Sequence, residues 1–109
     1  MQNFTELKKS ELINIVLSIV ENETEVNISE ILGRSRNTEA VDARHLAVAT
    51  LHKQGMYVSA IAETMGITPR YVQYIITNFE DRICGNVTLG NKYEIIAKKV
   101  RNRLETTTL

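Results

Sequence analysis

The sequence predicts an all-α fold, a compact bundle of about six helices. Three observations point that way. One proline and five glycines in 109 residues leave too few turn formers for an all-β chain. Apolar residues recur at i, i+3, i+4 and i+7 over several long stretches, the spacing of a helix face. Helix start signals stand where such runs begin, and no stretch reads as a credible strand. The length suits one domain with a single modest core, expected over residues 1–109.

The first helix is expected from about Thr5 to Glu21, where Leu12, Ile15, Val16, Ile19 and Val20 line one side. "NETEVN" breaks it. Asn27, with Glu30 three residues on, resembles a capping box and opens a short helix that ends at Gly33. "GRSRNT" is a polar loop carrying Arg34 and Arg36. The next helix, "EAVDARHLAVATLHKQG", is apolar round much of its girth, through Val41, Leu46, Ala47, Val48, Ala49 and Leu51. Its small residues let neighbours approach, so it belongs at the centre of the bundle. Two helices follow, over about Val58–Met65 and Pro69–Cys84. Thr68 caps the second, and Pro69 sits at N1, where a missing N–H costs nothing. "GNVTLG" reads as a loop before a last helix over about Asn91–Glu105. That helix buries Tyr93, Ile96, Ala97, Val100 and Leu104 and turns Lys92, Lys98, Lys99, Arg101 and Arg103 outward.

Residues 58–84 have the pattern of a helix-turn-helix. A small residue, Ala62, stands where the second helix crosses the first, and Gly66 four positions later tolerates positive φ. Val72 supplies a β-branched residue for the shared core, and Ile61, Met65, Ile67 and Ile75 are apolar as that core requires. The residues left facing outward are Thr68, Pro69, Arg70, Tyr71, Gln73, Tyr74 and Thr77. An arginine donates bidentately to guanine and a glutamine bridges adenine; tyrosines touch phosphate or a thymine methyl. No acid lies between Met65 and Phe79 to repel phosphate. The same inner pattern also fits a purely structural corner.

Net charge is zero, but it is unevenly spread. Residues 1–33 carry a balance of −4, and residues 34–109 a balance of +4. The asymmetry suggests an electrostatic footprint in the later part, or two solvated faces that differ. The chain opens without a basic segment leading into an apolar one, and no apolar stretch approaches bilayer length, so the expected location is cytoplasmic with no membrane partner. Cys84, the single cysteine, is expected as a small buried apolar residue. His45 and His52 lie two turns apart on one helix and read as structural, with no metal site. No nucleophile–base pair stands out, so no enzymatic activity is expected.

The order of parts is informative beyond the corner. The lead-in helix, "ISEILGRSR", "VDARHLAVATL", "VSAIAETMG" and the final basic helix together resemble the C-terminal DNA-binding domain of the bacterial replication initiator DnaA, in the Trp-repressor-like superfamily. The resemblance runs from about Glu11 to Leu104. It implies double-stranded DNA as partner, with Arg36 of the basic loop in the minor groove and Thr68–Thr77 reading the major groove. It also implies a DNA role for Arg44, the arginine early in the central helix. A minor-groove arginine is drawn by the stronger negative potential of narrow A/T-rich grooves. The plain alternatives are a solvated loop charge for Arg36 and an ion pair with an acid such as Asp42 for Arg44. At the turn the initiators carry Gly-Gly-Arg-Asp-His-Thr-Thr-Val, whereas this chain has the shorter "GITPRYV". A different target sequence is therefore expected. No glycine-rich phosphate loop ending in Lys-Ser/Thr occurs, so no nucleotide cofactor is expected. The chain resembles a stand-alone relative acting in replication or transcription control of a chromosome, phage or mobile element.

The competing reading is a helical protein-interaction module whose corner is only structural, with the acidic first third as its docking surface. DNA binding requires steep salt dependence, and an apolar protein interface does not. A single module offers DNA only about 600–1,000 Å². A monomeric fold is expected, with weak homodimer pairing or a partner protein assigned to the N-terminal helix.

Overall fold

The computed structural model describes residues 2–108, with side chains over 10–105, so the ends of the expected domain lie outside the described residues. Six helices follow in order: α1 (Gln2–Thr24), α2 (Ile28–Leu32), α3 (Thr38–Lys53), α4 (Val58–Met65), α5 (Pro69–Cys84) and α6 (Val87–Thr108). No strand occurs among the described residues.

α3 packs against every other helix and forms the axis of the bundle. Its residues 43–51 are all buried, which closes its whole circumference to solvent. Alanines at 43, 47 and 49 make this possible by letting the neighbouring backbones approach. Val16, Val20, Ile31, Leu46, Leu51, Ile61, Met65, Ile75, Ile96 and Val100 complete the centre of the core. Three polar side chains, Arg44, His45 and Thr50, are buried on α3 as well. Each finds a carbonyl: Thr50 Oγ1, for example, donates to Leu46 O at 2.7 Å. Burial without such a bond would cost about 1–3 kcal/mol per group.

α4 and α5 have the expected bounds. Four features differ from expectation. α1 is longer at both ends, closing where Glu25 adopts φ 60° and returns its N–H to Glu21 O at 2.8 Å. The stretch Gly85–Gly90 is largely not a loop. Asn86 accepts the N–H of Leu89 at 3.0 Å through its side chain, and α6 begins at Val87. Leu89, 4% exposed, anchors that first turn in the core and outweighs the low helix propensity of Gly90. Cys84 is exposed, because it falls at the last residue of α5. Lys92 is half-buried rather than free, its ammonium donating to Glu23 O at 3.0 Å, while Lys99 pairs with the Glu23 carboxylate. Among the described residues, no helix is long and apolar enough to cross a membrane.

Candidate nucleic-acid interface

Gly66 ends α4 by taking left-handed backbone, φ 70° and ψ 31°. Its N–H returns to Ala62 O, and Ile67 N–H reaches the same carbonyl at 3.1 Å. These bonds satisfy the exposed end of α4 and reverse the chain within one residue. Thr68 is extended, and its hydroxyl accepts Tyr71 N–H at 3.1 Å to open α5. Ile61, Ala62, Met65, Val72 and Ile75 are buried between the two helices, and Ile67 is half-buried, as the pattern requires.

With that side fixed inward, α5 presents Thr68, Pro69, Arg70, Gln73, Tyr74 and Thr77 to solvent. Tyr71 is half-buried. Its ring meets the edge of His45 at 6.3 Å on the inner side and stacks with Tyr74 at 6.4 Å on the outer. Tyr71 therefore braces Tyr74 as well as lining the surface. Gln73 Nε2 donates to Thr77 Oγ1 at 3.4 Å, a long bond that a better acceptor displaces. His45 is 3% exposed, with Nδ1 2.8 Å from Val41 O. A carbonyl only accepts, so Nδ1 carries the proton. Burial pushes the imidazole pKa below its ordinary 6.5.

The basic loop lies beside the start of α5. Gly33, Arg34, Ser35, Arg36, Val41 and Arg44 line one side of a cleft of about 660 Å³, and Gly66, Ile67, Thr68 and Tyr71 line the other. Arg34 and Arg36 are exposed. Loop and helix thus form one face, although they lie about thirty residues apart in sequence.

Arg44 is placed differently from a direct DNA contact. It is 4% exposed, and its guanidinium donates to the carbonyls of Ile31 at 2.8 Å, Glu30 at 3.1 Å, Gly33 at 2.8 Å and Ser35 at 3.3 Å. Asp42, its alternative partner from sequence, instead bridges Arg82 of α5 at 2.9 Å. Sequence reasoning also passed over Asn37. Its side chain accepts Glu39 N–H at 2.8 Å and caps α3 where the basic loop ends. An Asn two residues before a glutamate was the available signal. Tyr57, 79% exposed at the foot of α4, was not singled out either. Among the described residues, no group of three His, Cys, Asp or Glu side chains is placed to hold a metal ion.

Residues 40–87 match a helix-turn-helix family model described as a homeodomain-like domain. The match spans nearly all of α3, then α4, α5 and the first residue of α6. It supports DNA binding through the helix-turn-helix. It does not reach the basic loop at Arg34–Arg36. No curated protein matches the chain.

Proposed function

We propose that the chain binds double-stranded DNA sequence-specifically, with α5 in the major groove and the Arg34–Arg36 loop in the adjacent minor groove. The observation that carries this reading is the cleft shared by loop and helix. The two grooves of a duplex are separated by one sugar–phosphate strand, and a concavity between two groove-reading parts gives that strand a seat. Arg70 and Gln73 are the base readers, donating to guanine and bridging adenine, each worth about 1–3 kcal/mol of discrimination. Tyr74, braced by Tyr71, offers its ring to a thymine methyl. Thr68, Pro69 and Thr77 complete the surface, with Arg34 at phosphate and Arg36 reading the width of an A/T-rich minor groove.

The resemblance to the DnaA C-terminal domain supports a role in replication or transcription control of a chromosome, phage or mobile element. The different turn directs α5 to a different sequence. The apolar residues of α1 that the sequence offered for pairing, Ile15, Val16, Ile19 and Val20, are buried in the chain's own core, so the proposed binding unit is a single module with a footprint of about 600–1,000 Å².

Selection from a random duplex library tests the proposal. The expected yield is a fixed core with an A/T-rich flank on one side. Recovery of unrelated sequences with equal affinity would remove the base-reading roles of Arg70, Gln73 and Tyr74.

A further inference from the structure

We infer that Arg44 positions the minor-groove half of the interface without touching DNA, by holding the basic loop in its binding shape before the duplex arrives. The inference rests on the DNA reading above.

The loop has an alternating pattern. The carbonyls of Gly33 and Ser35 point to Arg44 at 2.8 and 3.3 Å, while the intervening side chains of Arg34 and Arg36 are exposed. One buried guanidinium therefore fixes the register that turns two arginines outward. The same group donates to Glu30 and Ile31 in the last turn of α2. A five-residue helix cannot pair its own terminal carbonyls, and a cation at its C-terminus is favoured by the helix dipole. Removing Arg44 releases α2 and the loop together.

Two further contacts limit the loop. An added Cβ at Gly33 would lie 2.9 Å from Ser29 O, so the chain there approaches α2 as closely as glycine allows. Ser35 Oγ accepts Asn37 N–H at 3.2 Å, which ties the far end to the α3 cap. A loop held this way has already lost its conformational freedom and loses little more on binding. Without Arg44 that ordering cost falls on the bound state, and Arg36 loses its preorganised position.

A double-mutant cycle on the selected duplex tests this. Arg36→Ala is expected to weaken binding about tenfold, the order of one charge-assisted contact. Arg44→Met is expected to cost at least as much, less in the Arg36→Ala background, and nothing further once Arg34 is alanine as well, with Arg44→Lys recovering part of the loss. Independent, multiplying losses, or no loss at Arg44→Met, overturn the inference. Should Arg44→Met not fold, the wild-type chain gives the answer by nuclear magnetic resonance. The Arg44 Nε–H signal is expected to exchange slowly and to stay in place when duplex is added, while Arg36 shifts. Fast exchange, or a direct magnetisation transfer from Arg44 to DNA, overturns it. Arg70→Ala on the same duplex separates the two kinds of failure. Loss at Arg70 without coupling between 44 and 36 sinks this inference alone; no loss at Arg70 or Arg36 sinks the DNA reading beneath it.

Discussion

Replacing Gly66 tests the turn on which the interface is built. Gly66 sits at φ 70°, and a Cβ built there meets no atom within 4 Å. The cost of a side chain is therefore conformational, not steric. Left-handed backbone costs an L-residue roughly 1–2 kcal/mol, less for Asn and more for a β-branched residue. A stiffer unfolded chain returns about 0.4–1 kcal/mol of that for alanine, leaving a net loss of about 1 kcal/mol. For a domain of this size the melting temperature should fall by about 4 °C. Thermal unfolding followed by circular dichroism gives the comparison directly. The expected order of stability is Gly, then Asn, then Ala, then Val. If Gly66→Ala melts with the wild type, or Gly66→Val is no worse than Gly66→Ala, the left-handed turn is not what closes α4.

Gly33→Ala forces a Cβ against the Ser29 carbonyl and should cost about 1–3 kcal/mol in denaturant unfolding while also weakening duplex binding. A variant that keeps both stability and affinity would show that the loop has room to spare. His45 gives a pH dependence. Its pKa is lowered in the folded chain, mainly by burial, so below the ordinary 6.5 the unfolded chain binds the extra proton. Stability is full above that value and declines as pH falls beneath it, until the folded imidazole is itself protonated. Urea midpoints at pH 7.5 and 5 should differ less in His45→Gln than in the wild type; an unchanged difference rules His45 out as the source. Arg82→Ala removes the bridge to Asp42 between α5 and α3. Both side chains are partly exposed, so the loss should stay below about 1 kcal/mol and shrink with salt.

The sequence was legible wherever local chemistry decides the structure. α4 and α5 were readable almost to the residue, because Gly66, Thr68 and Pro69 stop one helix and start the next through bonds that span five residues or fewer. The interior of α3 was readable from its small residues. The start of α6 was not, since Gly85, Asn86, Thr88 and Gly90 favour a loop until Leu89 finds its place in the core. Arg44 shows the same limit more sharply. Its four carbonyl partners lie 9 to 14 residues away, and nothing in "VDARHL" distinguishes a buried arginine from an exposed one. The cleft uniting residues 33–36 with 66–68 exists only through tertiary packing. The candidate base readers were legible because an exposed stripe is the complement of a buried one.

The central claim is that this face of α5 and its neighbouring loop carries DNA. The most direct check is the salt dependence of affinity for the selected duplex, measured by fluorescence anisotropy. Arg34, Arg36 and Arg70 are exposed on the face. If all three, at phosphate or in a groove, displace counterions from the duplex, log affinity should fall against log salt with a slope of about −2.7, roughly fortyfold between 50 and 200 mM. Arg34→Ala, which removes the arginine assigned to phosphate, should flatten that slope by about 0.9. A flat line, or a slope indifferent to Arg34, would mean that the duplex does not sit here.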